Sequence, residues 1–150
     1  MIEISPLKEI DYERWNILVR EYIEFYKTVR SDKDYQNLWQ RITEGKEILS
    51  VGARIEGRLV GFSQYMFHAS AWSADVCYLQ DLFVDETNRG QGIARKLIEH
   101  VACHANEKGS PRLYWLTHQS NTSARILYDK VASHSGFIRY ERPLLHAKKK

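Results

Sequence analysis

Cysteine is scarce in this chain, and long apolar runs are missing. The two cysteines, Cys77 and Cys103, form neither a Cys-x-x-Cys pair nor a zinc-ligand spacing. That excludes a disulfide-stapled scaffold or a zinc module, and two reduced, buried thiols are expected. No apolar stretch approaches the ~20 residues a membrane-spanning helix requires. Met1-Ile2-Glu3-Ile4 lacks the basic and apolar blocks of a signal peptide, so a cytoplasmic protein is expected. Charge of one sign is also in short supply. The net charge is +3, and much of it sits in Lys148-Lys149-Lys150. The body is close to neutral, which argues against a nucleic-acid surface. Internal repeats, low-complexity blocks and linkers are absent. A length of 150 residues therefore reads as one domain, large enough for a sizeable core. With 43% hydrophobic and 27% charged residues, the chain has the composition of a soluble globular protein.

The apolar pattern alternates over residues 2–7, which predicts a first strand. Trp15, Leu18, Val19, Tyr22, Ile23 and Tyr26 then follow helical spacing, with Asp11 as the expected cap. Tyr35, Leu38, Trp39 and Ile42 predict a second helix that Gly45 ends. Strands over 48–55 and 58–68 flank Glu56-Gly57, a hairpin signal. The mostly apolar segment 76–84 reads as a strand inside a sheet. From Gly90 the period changes to helical, with Ile93, Leu97, Ile98, Val101, Ala102 and Ala105 on one face and Gly109 and Pro111 beyond its end. A strand at 113–116 follows, then a helix capped by Asn121 or Thr122, then a last strand over 137–144. Early hairpins and later strand–helix alternation predict an α/β fold with a mixed sheet and helices on both faces.

The chemistry concentrates where the strand 76–84 passes into the helix. Arg89-Gly90-Gln91-Gly92-Ile93-Ala94 opens that helix. A helix start leaves backbone N–H groups unpaired and carries partial positive charge. Gly90 and Gly92 remove side chains, so a ligand can approach the backbone. Arg89 and Arg95 add permanent charge on either side. Such a turn suits a diphosphate, although a glycine pair before a helix also serves as a plain tight turn. No Gly-Lys-Ser/Thr follows, which excludes a Walker A loop, and the dinucleotide fingerprint lacks its third glycine.

Arg89, Gly92 and Ala94 make Arg-x-x-Gly-x-Ala, directly after Tyr78-Leu79-Gln80-Asp81-Leu82-Phe83-Val84. This order resembles the signature of the GCN5-related N-acetyltransferase (GNAT) superfamily. Asn121, Ala124, Leu127, Tyr128 and Lys130 resemble its second block, and Gly136-Phe137 resembles the start of its last strand. The nearest flavour is the diamine and thialysine acetyltransferases and the small histone-acetylating relatives. The resemblance implies a GNAT fold, with a central mixed, mostly antiparallel twisted sheet of about six to seven strands. It implies acetyl-CoA as co-substrate and no metal. The backbone of Leu82, Phe83 and Val84 would pair with the peptide-like pantetheine arm. The N–H groups of Gly90, Gln91, Gly92, Ile93, Ala94 and Arg95 would hold the pyrophosphate. Asn121, Thr122, Ser123 and Ala124 would line the far side of the cofactor. Tyr128 would protonate the departing thiolate, since a phenol stays protonated at neutral pH; on an apolar helix face it also reads as plain core. Relatives commonly pair through their last strands, so a homodimer is implied.

This chain departs from the polyamine-acetylating relatives at Gln80, where they carry a glutamate. Asp81 is adjacent, but strand alternation points it to the opposite face. Ala132-Ser133-His134-Ser135 are an insertion before Gly136 that either lengthens the helix or bulges. Trp72 reads equally as core or as a cover over the acceptor. Tyr22, Phe25 and Tyr26 read as core aromatics, and Glu21 and Glu24 as a solvated face; the family resemblance also sets the loop after this helix beside the acceptor site, where Glu21 and Glu24 would attract a cationic amine. His100 and His104 share helical i, i+4 spacing but face solvent or its edge, with no third ligand. No serine or cysteine sits in a nucleophile elbow, so direct transfer to a primary amine is expected, without an acetyl-enzyme. The expected acceptor is a polyamine, an amino acid derivative, or a lysine or amino terminus on a protein or peptide. A non-catalytic CoA-binding module is the alternative.

Overall fold

A computed structural model of the chain describes residues 1–145. The carboxy-terminal lysines lie outside the described residues. The chain divides into two compact units, Met1–Leu116 and the segment from Thr117 onward.

The first unit carries one sheet in the order β1-β2-β3-β4-β5, formed by β1 Ile2–Pro6, β2 Leu49–Ile55, β3 Arg58–His68, β4 Val76–Val84 and β5 Leu113–Tyr114. Its first three pairings are antiparallel, and β5 runs parallel to β4. The β2–β3 hairpin closes as its two central residues suggest, with both Glu56 and Gly57 at positive φ, 51° and 79°. Helix α1, Tyr12–Phe25, buries Trp15, Leu18 and Val19. Helix α2, Asp32–Glu44, starts with a capping box: the Asp34 N–H donates to the Ser31 hydroxyl, and the Ser31 N–H donates to the Asp34 carboxylate. It ends at Gly45, whose φ of 63° suits glycine.

The two helices pack their apolar sides with Leu59, Phe62 and Phe83 of the sheet. Helix α3, Ile93–Glu107, covers the other face and buries Ile93, Leu97, Ile98, Val101 and Ala105. Alternation along β3 explains the two layers. Phe62 joins the α1 cluster, while its neighbour Gly61 faces Ile93. Gly61 has no room for more, because a Cβ there would lie 2.8 Å from the Phe83 carbonyl oxygen.

Asp11 precedes α1 as expected but does not cap it. Its carboxylate instead accepts two hydrogen bonds from the Arg54 guanidinium and one from the Lys8 N–H. Burial pushes this carboxyl up, but the bonds from Arg54 and Lys8 and their positive charges hold it below the usual range. Arg54 also donates to Ser5 and Pro6, so one buried pair ties β1, β2 and the start of α1 together.

The second unit contains helix α4, Thr122–Val131. Asn121, not Thr122, is its cap, and the Ala124 N–H donates to the Asn121 side chain at 3.3 Å. The helix stops at Val131, so Ala132–Ser135 do not lengthen it. The described sheet has five strands, fewer than the six to seven expected. The difference falls at 137–144, where the alternating pattern forms no strand. A strand needs a hydrogen-bonding neighbour, and among the described residues this segment has none; Phe137, Ile138, Tyr140 and Leu144 stand exposed. Among the described residues no helix is long and apolar enough to cross a membrane.

Candidate functional site

Strand β4 reaches Val84 and turns sharply. The Asp85 N–H donates to the Val60 carbonyl at 2.8 Å, and a single 3₁₀ turn over Glu86–Asn88 follows. Gly90 and Gly92 both take left-handed backbone, φ 81° and 80°, a region other residues enter only at a cost. A Cβ at either glycine would meet nothing within 4 Å. Gly92 occupies the cap position of α3 and no side chain caps that helix. Among the described residues, no protein group accepts from the N–H groups of Gly90, Gln91, Gly92, Ile93, Ala94 or Arg95. The sequence-predicted cradle is thus an open row of donors at the positive end of a helix dipole, which fits a diphosphate.

The side chain of Arg89 also bonds back to the strand before it. Its Nε donates to the Val84 carbonyl at 3.0 Å, and its guanidinium lies 5.6 Å from the Phe83 ring centre. It braces the turn while remaining exposed beside the cradle.

The edge of β4 is also informative. Leu82, Phe83 and Val84 pair with Ser63, Phe62 and Gly61 of β3. On the other side, β5 pairs only with Cys77 and Tyr78. From Leu79 to Val84 that second edge has no strand neighbour among the described residues. Apart from the Val84 carbonyl, which the Arg89 side chain already holds, that edge is open to a peptide-like chain as an added strand.

A third feature escaped sequence reading. Gln64 pairs with Asp81 but Tyr65 pairs with Leu79, so Gln80 is an extra residue in β4 and makes a bulge. Gln80 is exposed. Asp81 turns toward α1. Its two carboxylate oxygens accept from the Tyr22 hydroxyl and the Gln64 amide, each at 2.8 Å. Burial pushes the Asp81 carboxyl above the ordinary range, against both hydrogen bonds. The same burial, with the carboxylate beside it, pushes the Tyr22 phenol far up, so it stays a donor. The Gln64 Oε1 is buried and has no partner. The Asp81 carboxyl and the unsatisfied Gln64 Oε1 thus belong to hydrogen-bonded neighbours beside Tyr22, whose ring packs against Phe62 and Phe83.

Other sequence expectations divide. Cys77 is buried, but Cys103 is exposed. Trp72 is 96% exposed and not core. Phe25 and Tyr26 are exposed too, because they lie past the part of α1 that the sheet covers. His104 is tucked in, with its Nδ1 2.6 Å from the Tyr65 hydroxyl, and burial pushes that phenol up to about 12. In the second unit, Asn121, Ala124 and Tyr128 fall at helical spacing along the start of α4, with Thr122 and Ser123 between them.

Residues 15–132 match the family model described as the acetyltransferase (GNAT) family. The D-amino-acid N-acetyltransferase HPA3 of Saccharomyces cerevisiae is 34% identical over 145 residues, covering 94% of this chain and 90% of the yeast protein. The thialysine N-epsilon-acetyltransferase of Bos taurus is 39% identical over 88 residues, covering 58% of this chain and 52% of its own. The aminoglycoside N-acetyltransferase AAC(6')-Iy, solved with a CoA-containing bisubstrate analogue, matches in fold with a TM-score of 0.76 at 21% identity, over 100% of this chain and 99% of that one.

Proposed function

The chain belongs to the GNAT family of acetyltransferases, and from that premise we propose that it forms one N-acetyltransferase domain carrying the acetyl group of acetyl-CoA to a small primary amine. The observation that carries this reading is the open row of N–H donors from Gly90 to Arg95, with a glycine at each point where a ligand must come close.

Acetyl-CoA supplies the acyl group as a thioester. The cradle binds its diphosphate, and the open edge of Leu82, Phe83 and Val84 receives the pantetheine amides. Asn121, Thr122, Ser123 and Ala124 complete the cofactor-binding set. Asp81 attracts the acceptor's ammonium and takes up the proton the amine must shed before it can attack. Gln64 Oε1 supplies a second acceptor for the same nitrogen. As the C–N bond forms and the C–S bond breaks, the Tyr128 hydroxyl gives its proton to sulfur. An amino acid or amino-acid-like amine is the favoured acceptor, following the yeast relative named for D-amino acids. The two unpaired thiols suit a cytoplasmic setting.

Release of free CoA thiol in the presence of an amine and amino-acid panel tests the reading. Binding of acetyl-CoA with no thiol release from any amine would leave a CoA-binding module instead. Within that assay Asp81→Asn should lower kcat/KM for the amine about 10–100-fold, the range for a hydrogen bond to a charged partner. Stability should move the other way. A folded-state pKa raised above the unfolded value favours folding fully only below the ordinary carboxylate range, and that contribution is lost as pH rises through the raised value. Asp81→Asn should therefore not lower Tm at pH 7. A fall in Tm with unchanged kcat/KM would make Asp81 structural.

The exposed apolar side chains of Phe137, Ile138, Tyr140 and Leu144 support a homodimer, in which a second copy supplies the strand neighbour this segment lacks. Light scattering at micromolar concentration should give twice the 17.7 kDa chain mass. A monomer mass counts against it.

A further inference from the structure

The turn that presents the diphosphate cradle is held from outside by a side chain of α1. Arg14 stands in the first turn of that helix. Its Nε donates to the Leu59 carbonyl of β3 at 3.1 Å, and its Nη2 donates to the Asp85 carboxylate at 2.5 Å. Both partners of this ion pair are mostly buried, with 21% and 13% of their side chains exposed. Asp85 is the residue directly after β4, and it is fully engaged. Its N–H donates to Val60, its carbonyl accepts from the Asn88 N–H, and its carboxylate also accepts from the Thr87 hydroxyl. Four residues later the chain reaches Arg89, which is pinned back to Val84. The backbone from Val84 to Arg89 is thus set by hydrogen bonds at both ends, and the glycines that follow inherit their direction from it.

We infer that Arg14 is a positioning residue for acetyl-CoA: through Asp85 it fixes the direction in which the N–H groups of Gly90 to Arg95 point. The inference rests on the acetyl-CoA reading of the cradle. A row of backbone dipoles binds a diphosphate well only if its direction is set beforehand, since otherwise binding must order the turn. An arginine that touches no ligand can supply that order, because its planar guanidinium grips a carboxylate and a carbonyl at once. The pair is also shielded, so water competes for it less than for a surface ion pair.

The test uses the full chain and two donors. Acetyl-CoA carries the diphosphate; acetyl-pantetheine carries the same thioester and arm without it. Arg14→Gln should weaken acetyl-CoA about 3–10-fold in Kd and KM, a modest coupling for groups in one hydrogen-bonded network. It should leave kcat and the kcat/KM for acetyl-pantetheine nearly unchanged. Asp85→Asn should do the same, and the double variant should be no worse than the weaker single, because both remove one link. Arg14→Lys, which keeps the charge, should restore part of the affinity and serves if Arg14→Gln folds poorly. Folded variants that bind acetyl-CoA like the wild type would overturn the inference. So would equal losses with both donors, or losses that add in the double variant. If the wild type itself shows no acetyl-CoA binding, the acetyl-CoA reading falls, and the inference with it.

Discussion

Replacing Tyr128 by Phe should lower kcat roughly 100-fold while leaving acetyl-CoA affinity nearly unchanged, if this hydroxyl is the acid that meets the departing sulfur. General acid catalysis by one side chain is worth roughly 10²–10⁴-fold. A thiol with a pKa near 8.5 is already a fair leaving group at neutral pH, which favours the low end of that range. The ring remains, so packing on α4 is kept and only the proton donor goes. The effect should therefore fall on kcat and on kcat/KM alike, the pattern of an interaction made only in the transition state. A drop below about threefold, with chemistry shown to limit kcat, would make Tyr128 structural and assign the proton to water or another residue.

The second large effect is expected at Gly92. Acetyl-CoA should stabilise the wild type by mass action, by about 2.7 kcal/mol at a hundredfold excess over Kd, and so raise its melting temperature. Gly92→Val should abolish that rise. The residue sits at φ 80°, where a β-branched side chain costs roughly 1–3 kcal/mol, so some loss of stability is expected. Beyond Gly92 and its two chain neighbours no protein atom lies within 4 Å of the added Cβ, however, so the Cβ displaces nothing else in the fold. On the proposed binding mode, the side chain instead stands in the space a diphosphate needs, in front of unpaired N–H groups. Thermal melts with and without acetyl-CoA separate the two effects. A variant that melts a few degrees lower but still gains the full acetyl-CoA shift would mean that the cradle lies elsewhere.

Asp81 illustrates how a candidate functional group can hide in a strand. Period-two alternation sets Asp81 on the face opposite Gln80, and Gln80 itself is no base. The structure keeps that opposition but adds the bulge, which leaves Gln80 exposed and turns Asp81 in toward Tyr22 and Gln64. A bulge depends on how two strands register against each other, a non-local property with no signature in either strand alone. The residues that meet there are 59 and 17 positions from Asp81. Arg14 and Asp85 are 71 apart, and nothing in their neighbourhoods marks them as a pair.

What the amino-acid sequence determined by itself was local and periodic. It placed α1 to α4 through the spacing of residues such as Trp15, Leu18 and Val19, the β2–β3 turn through Glu56-Gly57, and the cradle through two glycines at a helix start. These follow from backbone geometry within a few residues, so a short window suffices. Tertiary structure decided what depends on neighbours distant in the chain. It turned Asp11 from a cap into the partner of Arg54, and it drew His104 onto Tyr65. It left 137–144 without strand structure despite its alternating pattern, because a strand exists only when a second backbone answers its hydrogen bonds.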